Sequence, residues 1–191
     1  MKVVAFNGSP RPRGNTSLLI GAVFEELNRE GIRTELVHVG GHMLHGCTAC
    51  YKCRENGNRR CALDDDILND CVAKMDAADG IILGSPVYVS NMTAAMKALI
   101  ERAAYVARHN GDMFRRKVGA GVVAVRRAGS NHVLSSLNYF FLVTQMIVPG
   151  ANYWNVGIGR EPGEVLKDTE GMQTMQTLGH NMAWLLKRLH A

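Results

Sequence analysis

Long apolar runs are missing from this 191-residue sequence. No stretch reaches the roughly 18 consecutive apolar residues that a bilayer-crossing helix needs, so no helical membrane span is expected. No charged-then-apolar leader precedes the first strand-like segment, and a cytoplasmic location is the expectation. No Lys/Arg block stands out either. The net charge of +5 is scattered, which suits a solvated surface tolerant of anionic ligands better than a nucleic-acid interface. Neither G-x-x-x-x-G-K-[ST] nor G-x-G-x-x-G occurs, so the usual triphosphate and dinucleotide loops are absent. No Ser-His-Asp or paired-carboxylate pattern asks for hydrolytic chemistry. No repeat, low-complexity tract or linker divides the chain, which reads as one domain over 1–191. Cysteine is not scarce. Five thiols without an export signal read as reduced thiols or metal ligands rather than disulfides.

What is present alternates regularly. Val3–Phe6 reads as a buried strand that stops at Asn7-Gly8, and Asn15-Thr16-Ser17 opens a helix with Leu18, Leu19, Ala22, Val23 and Leu27 on one face. Further strands are expected at 34–39, 80–84, 117–125 and 151–156. Helices are expected from Asp64-Asp65-Asp66, up to about Tyr105, after Asn131 and along Met172–Leu189. The acidic triplet reads as a helix cap rather than a metal site. Gly80–Gly84, apolar throughout, belongs in the middle of a parallel sheet. Five βα units make a doubly wound α/β sheet with helices on both faces, and ligands then sit beyond the carboxyl ends of the strands.

Three loops lie at that end. The first, Gly8–Ser17, combines a strand end, a tight loop and a helix start, an arrangement that aims free N–H groups and a positive dipole at an anion. Ser9, Thr16 and Ser17 add hydroxyls, Asn15 an amide and Arg11 a fixed charge. The set suits one terminal phosphomonoester; the alternative is an ordinary βα turn capped by Thr16 or Ser17. G-S-P-R-x-x-G-N-T-S resembles the phosphate loop of the flavodoxin-like NAD(P)H-dependent FMN reductase superfamily. That resemblance implies strand order 2-1-3-4-5 and FMN as cofactor. The second loop, Ser85-Pro86-Val87-Tyr88 with Asn91 and then Lys97, resembles the superfamily's isoalloxazine loop, with Pro86, Val87, Tyr88 and Asn91 as flavin contacts. The third, Arg126–Asn131, resembles its Gly-rich loop but keeps one glycine, Gly129. An Arg126 or Arg127 guanidinium at the flavin edge would favour the anionic reduced ring by charge.

The most specific signal is Cys47-x2-Cys50-x2-Cys53-x7-Cys61, in a segment inserted at about 42–63. A turning C-x2-C-x2-C peptide can reach three corners of an iron–sulfur cubane, and a flexible arm, bent at Asn56-Gly57-Asn58, brings the fourth thiolate. Zinc or plain thiols are the alternatives. The motif resembles that of the iron–sulfur flavoproteins, a branch of the same superfamily that holds [4Fe–4S] beside FMN. The resemblance makes Cys47, Cys50, Cys53 and Cys61 the cluster ligands; Cys71 sits on an apolar helical stripe and reads as core. His38, His42 and His45 lack a matching carboxylate pair and read as surface or core residues. Lys52, Arg54, Arg59 and Arg60 surround the motif. They would ease cluster reduction and steer an acidic ferredoxin, or merely keep the surface soluble.

The combined expectation is a redox protein relaying electrons from a ferredoxin-type donor through [4Fe–4S] to FMN and on to a small-molecule acceptor. The runner-up is a cluster-free NAD(P)H-dependent FMN or quinone reductase, and a third class is a flavin carrier without redox role. The resemblance also implies a homodimer or homotetramer, with Phe140–Val143 and the cysteine loop as contact surfaces.

Overall fold

The computed structural model describes residues 1–191. Five parallel strands form one sheet: β1 (Lys2–Asn7), β2 (Arg33–His38), β3 (Gly80–Pro86), β4 (Val118–Val125) and β5 (Val156–Ile158). Their spatial order is β2-β1-β3-β4-β5, the flavodoxin order. The chain steps from β1 outward to β2, then returns past β1 to β3. That reversal makes a crevice beyond the carboxyl ends of β1 and β3.

Alternation along each strand sorts its side chains into two cores. Val4, Phe6, Ile81 and Leu83 face one side, with α3 (Leu68–Ala77), α4 (Ala94–His109) and α5 (Ser130–Val143) over them. Val3, Ala5, Ile82, Ala120 and Val122 face the other, beneath α1 (Asn15–Arg29) and α6 (Thr169–Leu189). Burial on both faces explains the unbroken apolar runs of β3 and β4. The two cores contain 27 and 19 buried residues, so α3–α5 cover the larger share. No helix is long and apolar enough to cross a membrane.

Several elements differ from expectation. The fifth strand is not Ala151–Val156. Ile147 pairs with Val118, the edge then departs, and pairing resumes only at Val156. Pro149 has no N–H to offer the ladder, which accounts for the excursion. Its tip exposes Tyr153 and Trp154. The third helix begins at Leu68, not at the acidic triplet; its N-cap residue is Ile67, without a side-chain cap bond, and Asp66, one residue earlier, accepts from the Leu68 N–H through Oδ1 at 3.0 Å. The fourth helix runs on from Tyr105 to His109. Within the cysteine segment a short helix, α2 (Lys52–Asn56), forms unannounced by any apolar periodicity.

Candidate functional site

At the first loop, α1 begins without a side-chain cap: Gly14 is the N-cap residue and no hydroxyl or carboxylate accepts its N–H groups. The Asn15 and Thr16 N–H groups have no acceptor in the chain. The Thr16 hydroxyl is buried without a partner, as is the side-chain amide nitrogen of Asn7 at the end of β1, whose Oδ1 accepts from the Ser9 N–H at 3.0 Å. An uncapped fifteen-residue helix with orphaned donors at its start fits an anionic oxygen ligand, and the exposed Arg11 and Arg13 add charge. The other polar groups are committed within the chain. Ser9 Oγ accepts from the Arg11 N–H at 3.1 Å, and Ser17 Oγ donates to the Gly14 carbonyl at 2.8 Å. The Asn15 amide donates to the Gly159 and Glu161 carbonyls and accepts from the Gly163 N–H, tying α1 to the loop after β5. Asn15 thus positions that loop with both ends of its amide.

Neighbouring segments press this loop into shape. Thr93, the N-cap of α4, donates to the Gly8 carbonyl at 2.8 Å, and its own N–H donates to Ser85 Oγ. His38 Nε2 lies 2.8 Å from the Ser9 carbonyl, which makes that nitrogen the donor. Gly40 passes so close that a Cβ there would stand 2.2 Å from the Ser9 carbonyl oxygen.

The second loop is a tight turn. Tyr88 and Asn91 exchange both backbone hydrogen bonds across Val89 and Ser90, whose φ values are 50° and 56°. This backbone ordinarily takes Asn-Gly, and a β-branched residue in it is strained. Val89 is fully exposed, so no packing explains it. The third loop packs on this turn: Gly129, at φ 87°, would put a Cβ 2.9 Å from Ser90 Cα. Val87, Arg126 and Arg127 line one open cleft of about 250 Å³ beyond the ends of β3 and β4. Both arginines are exposed. Tyr88 is half exposed, whereas Asn91 lines a different groove, between α4 and α5. The loops thus converge as expected, except that Asn91 borders a second space.

The cysteine segment docks on the α3–α5 core through Cys53 and Cys61. Cys47, Cys50, Cys53 and Cys61 all line one small apolar cavity, floored by Tyr105 and Val106 of α4. Burial raises the Cys53 thiol, and the three other cysteines raise it further, so the four sulfurs share one electrostatic neighbourhood. Cys50 is lowered, first by the backbone N–H of Lys52 and then by the Thr48 hydroxyl. No three His, Cys, Asp or Glu side chains close on one point as a single ion requires. A zinc site would gather its sulfurs at about 2.3 Å from one centre. The four thiols share a cavity wall without closing on one point. Cys71 lies apart in the core, where burial pushes its thiol up to about 12.

Two amides and one guanidinium hold this segment. Asn69, buried on α3, accepts from the Cys61 N–H at 2.8 Å and donates to the Cys61 carbonyl at 3.0 Å. Asn110 donates to the Cys53 carbonyl at 3.1 Å and accepts from the Arg59 N–H. Arg102 of α4 is 1% exposed. Its Nε–H points at Cys61 Sγ (3.4 Å), Nη2 donates to the Leu63 carbonyl (2.8 Å), and Nη1 pairs with Asp66 and reaches the His45 carbonyl. Burial would raise the Asp66 carboxyl. The Arg102 fork and the N–H groups of His45 and Leu68 outweigh it and hold Asp66 below the usual carboxylate range. Sequence reasoning missed this arginine. The available signal was its place on the apolar stripe of α4, between Leu99 and Ala103.

The expected apolar contact run splits in two. Phe140 and Phe141 are buried in the core, a correction forced by the 3.6-residue period, while Tyr139, Leu142 and Val143 face outward. Tyr139 and Val143 help line a groove of about 690 Å³, which also touches Tyr51 of the cysteine segment and Asn91 of the second loop.

The sequence profile of the NADPH-dependent FMN reductase family matches residues 1–161. An iron-sulfur flavoprotein of Methanocaldococcus jannaschii is 38% identical over 194 residues, covering 98% of each chain. One from Methanosarcina thermophila is 35% identical over 189 residues, covering 98% of this chain and 96% of that one. Among solved structures, RosB, which carries a bound riboflavin-5'-phosphate derivative, superposes with a TM-score of 0.80 at 23% identity. That match covers all of this chain and 80% of RosB, and supports the fold. The chain belongs to the NADPH-dependent FMN reductase family, in its iron–sulfur flavoprotein branch, and is a flavin-dependent oxidoreductase.

Proposed function

We propose that this chain relays electrons between a [4Fe–4S] cluster and FMN, taking them from a ferredoxin-type donor and delivering them to a small acceptor. The observation that carries the reading is the common cavity shared by Cys47, Cys50, Cys53 and Cys61, set in a flavin-reductase fold. FMN, when bound, exchanges electrons singly or in pairs, which lets a one-electron donor serve a two-electron acceptor. The chain's own part is placement. The uncapped start of α1, with the unpartnered Thr16 hydroxyl and the Arg11 charge beside it, would hold the phosphate, and Ser9 and Ser17, bonded within the chain, would shape the loop around it. Asn15 would keep the neighbouring loop in place. Pro86, Val87, Tyr88 and Gly129 would shape the ring's seat, and Arg126 and Arg127 would offset negative charge there. Thr93 and Arg102, nine residues apart on α4, touch the flavin loops and the cysteine segment respectively. That interval is about 14 Å along the helix axis.

Around the cysteines, Arg59 and Arg60 are paired with Asp76 and Asp64. Lys52 and Arg54 have no ion-pair partner, so they are the charges left to attract an acidic ferredoxin. The exposed stripe of Tyr139, Leu142 and Val143 beside the cysteine segment would serve a homodimer or homotetramer contact.

Reduction of FMN by reduced ferredoxin tests the relay. In anaerobic protein the rate should fall at least a hundredfold in Cys47→Ser and Cys50→Ser, while dithionite still bleaches the flavin. Equal rates with and without the cysteines would refute it. A second reading, direct hydride donation from NAD(P)H, is favoured by an open depression beside the proposed flavin loops, where Arg126, Arg160 and Lys167 outnumber Glu164 and Asp168. Rapid bleaching by NADPH in the Cys→Ser chains would select it.

A further inference from the structure

We propose that Arg102 is a positioning residue for the cluster. It fixes the fourth ligand, Cys61, and its buried charge, balanced by Asp66, sets the cluster's reduction potential. The inference rests on the cluster reading above and deepens it.

Cys47, Cys50 and Cys53 sit on one turning peptide, and α2 orders its end. Cys61 stands eight residues beyond Cys53 on an arm with little regular structure. Such an arm needs an anchor, and the structure supplies two. Asn69 holds the Cys61 backbone through both its N–H and its carbonyl. Arg102 alone reaches the sulfur.

An arginine suits the position for three reasons. Its guanidinium keeps its charge in any environment a protein provides. Its planar fork serves the Leu63 carbonyl, Asp66 and Cys61 at once, which a lysine ammonium cannot do with fixed geometry. An N–H aimed at a ligating sulfur also withdraws electron density from it. Hydrogen bonds to cluster sulfurs and the local net charge are both levers on potential.

Asp66 is the counterweight. Its side chain is 2% exposed and that of Arg102 1%, so solvent screens neither. The pair is neutral as a unit, but the arginine lies on the sulfur side. Removing the guanidinium withdraws a donor and leaves a buried carboxylate near a negatively charged centre. Neutralising the carboxylate does the reverse.

The two partners therefore shift the cluster in opposite directions. In anaerobically reconstituted full-length protein, Arg102→Gln should disfavour one-electron reduction of the cluster about tenfold. That is a potential about 59 mV lower. Asp66→Asn, which keeps every Arg102 donor, should favour reduction by a similar factor. Damage to the fold alone would not give opposite signs. Wild-type potential in both variants, or shifts of one sign, would overturn the proposal while leaving the relay standing. If Arg102→Gln takes up no iron, Asp66→Asn decides alone, and an unshifted potential overturns it. Wild-type protein that takes up no iron and sulfide overturns this proposal and the relay together.

Discussion

The proposed flavin seat at the ends of β1, β3 and β4 is made largely of backbone. An uncapped helix, a glycine-tight passage at Gly40 and a turn held by paired main-chain bonds give its shape, and its arginines stand free in solvent. The cysteine segment has almost no regular structure, and side chains shape it: Asn69, Asn110 and one buried Arg102–Asp66 pair. A seat at strand ends inherits rigidity from the sheet and tolerates side-chain change. An inserted loop has no such support, and its order depends on a few buried and half-buried polar contacts. The two seats should therefore fail differently.

The largest effect should come from Arg102→Leu. It leaves Asp66 buried and unpaired, and should lower the stability of the apo chain by about 3–5 kcal/mol, read from the denaturant midpoint. Adding Asp66→Leu should restore most of that loss. FMN affinity at 4 °C, below the transition, should change little, and a large change would break the separation between the seats.

Gly40→Ala probes the other side. The added Cβ would collide with the Ser9 carbonyl and push on the phosphate loop. FMN should bind about thirtyfold more weakly, or about 2 kcal/mol, by fluorescence titration. The iron content should stay at the wild-type level.

Acid should act on the cysteine segment through Asp66, whose carboxyl is depressed in the folded chain. Its contribution is complete above the unfolded value of about 3.9 and fades as pH falls through the lower folded value. Asp66→Asn should flatten the stability profile below about pH 4, measured by urea unfolding of the apo chain. A profile that keeps its acid limb would assign that limb elsewhere.

The smallest effect concerns the turn. Val89→Asn suits the left-handed backbone better and should stabilise the fold by about 1 kcal/mol in thermal unfolding. A loss of stability would mean that the valine does something in the turn that exposure hides.

Much of this molecule was readable before any coordinates. The apolar runs of β1, β3 and β4, the turn at Asn7-Gly8 and the start of α1 gave the doubly wound sheet, because burial on both faces leaves a period-free signature. The cysteine spacing named four thiols that do share a cavity. Long-range polar partners were not readable. Asn15 looked like a ligand donor, but it bonds residues 144 to 148 positions away. Asp66 was one of three equivalent acids in sequence, and only the fold selects it for Arg102. Phe140 and Phe141 looked like a contact surface, yet the helical period turns both inward.

The central claim is that one chain holds both a flavin and an iron–sulfur centre. It is tested most directly by the FMN, iron and acid-labile sulfide content of protein isolated without oxygen. The account predicts one FMN with four irons and four sulfides per chain, and loss of the iron and sulfide alone in Cys61→Ser. Full flavin occupancy with no iron or sulfide in the wild-type chain would contradict it.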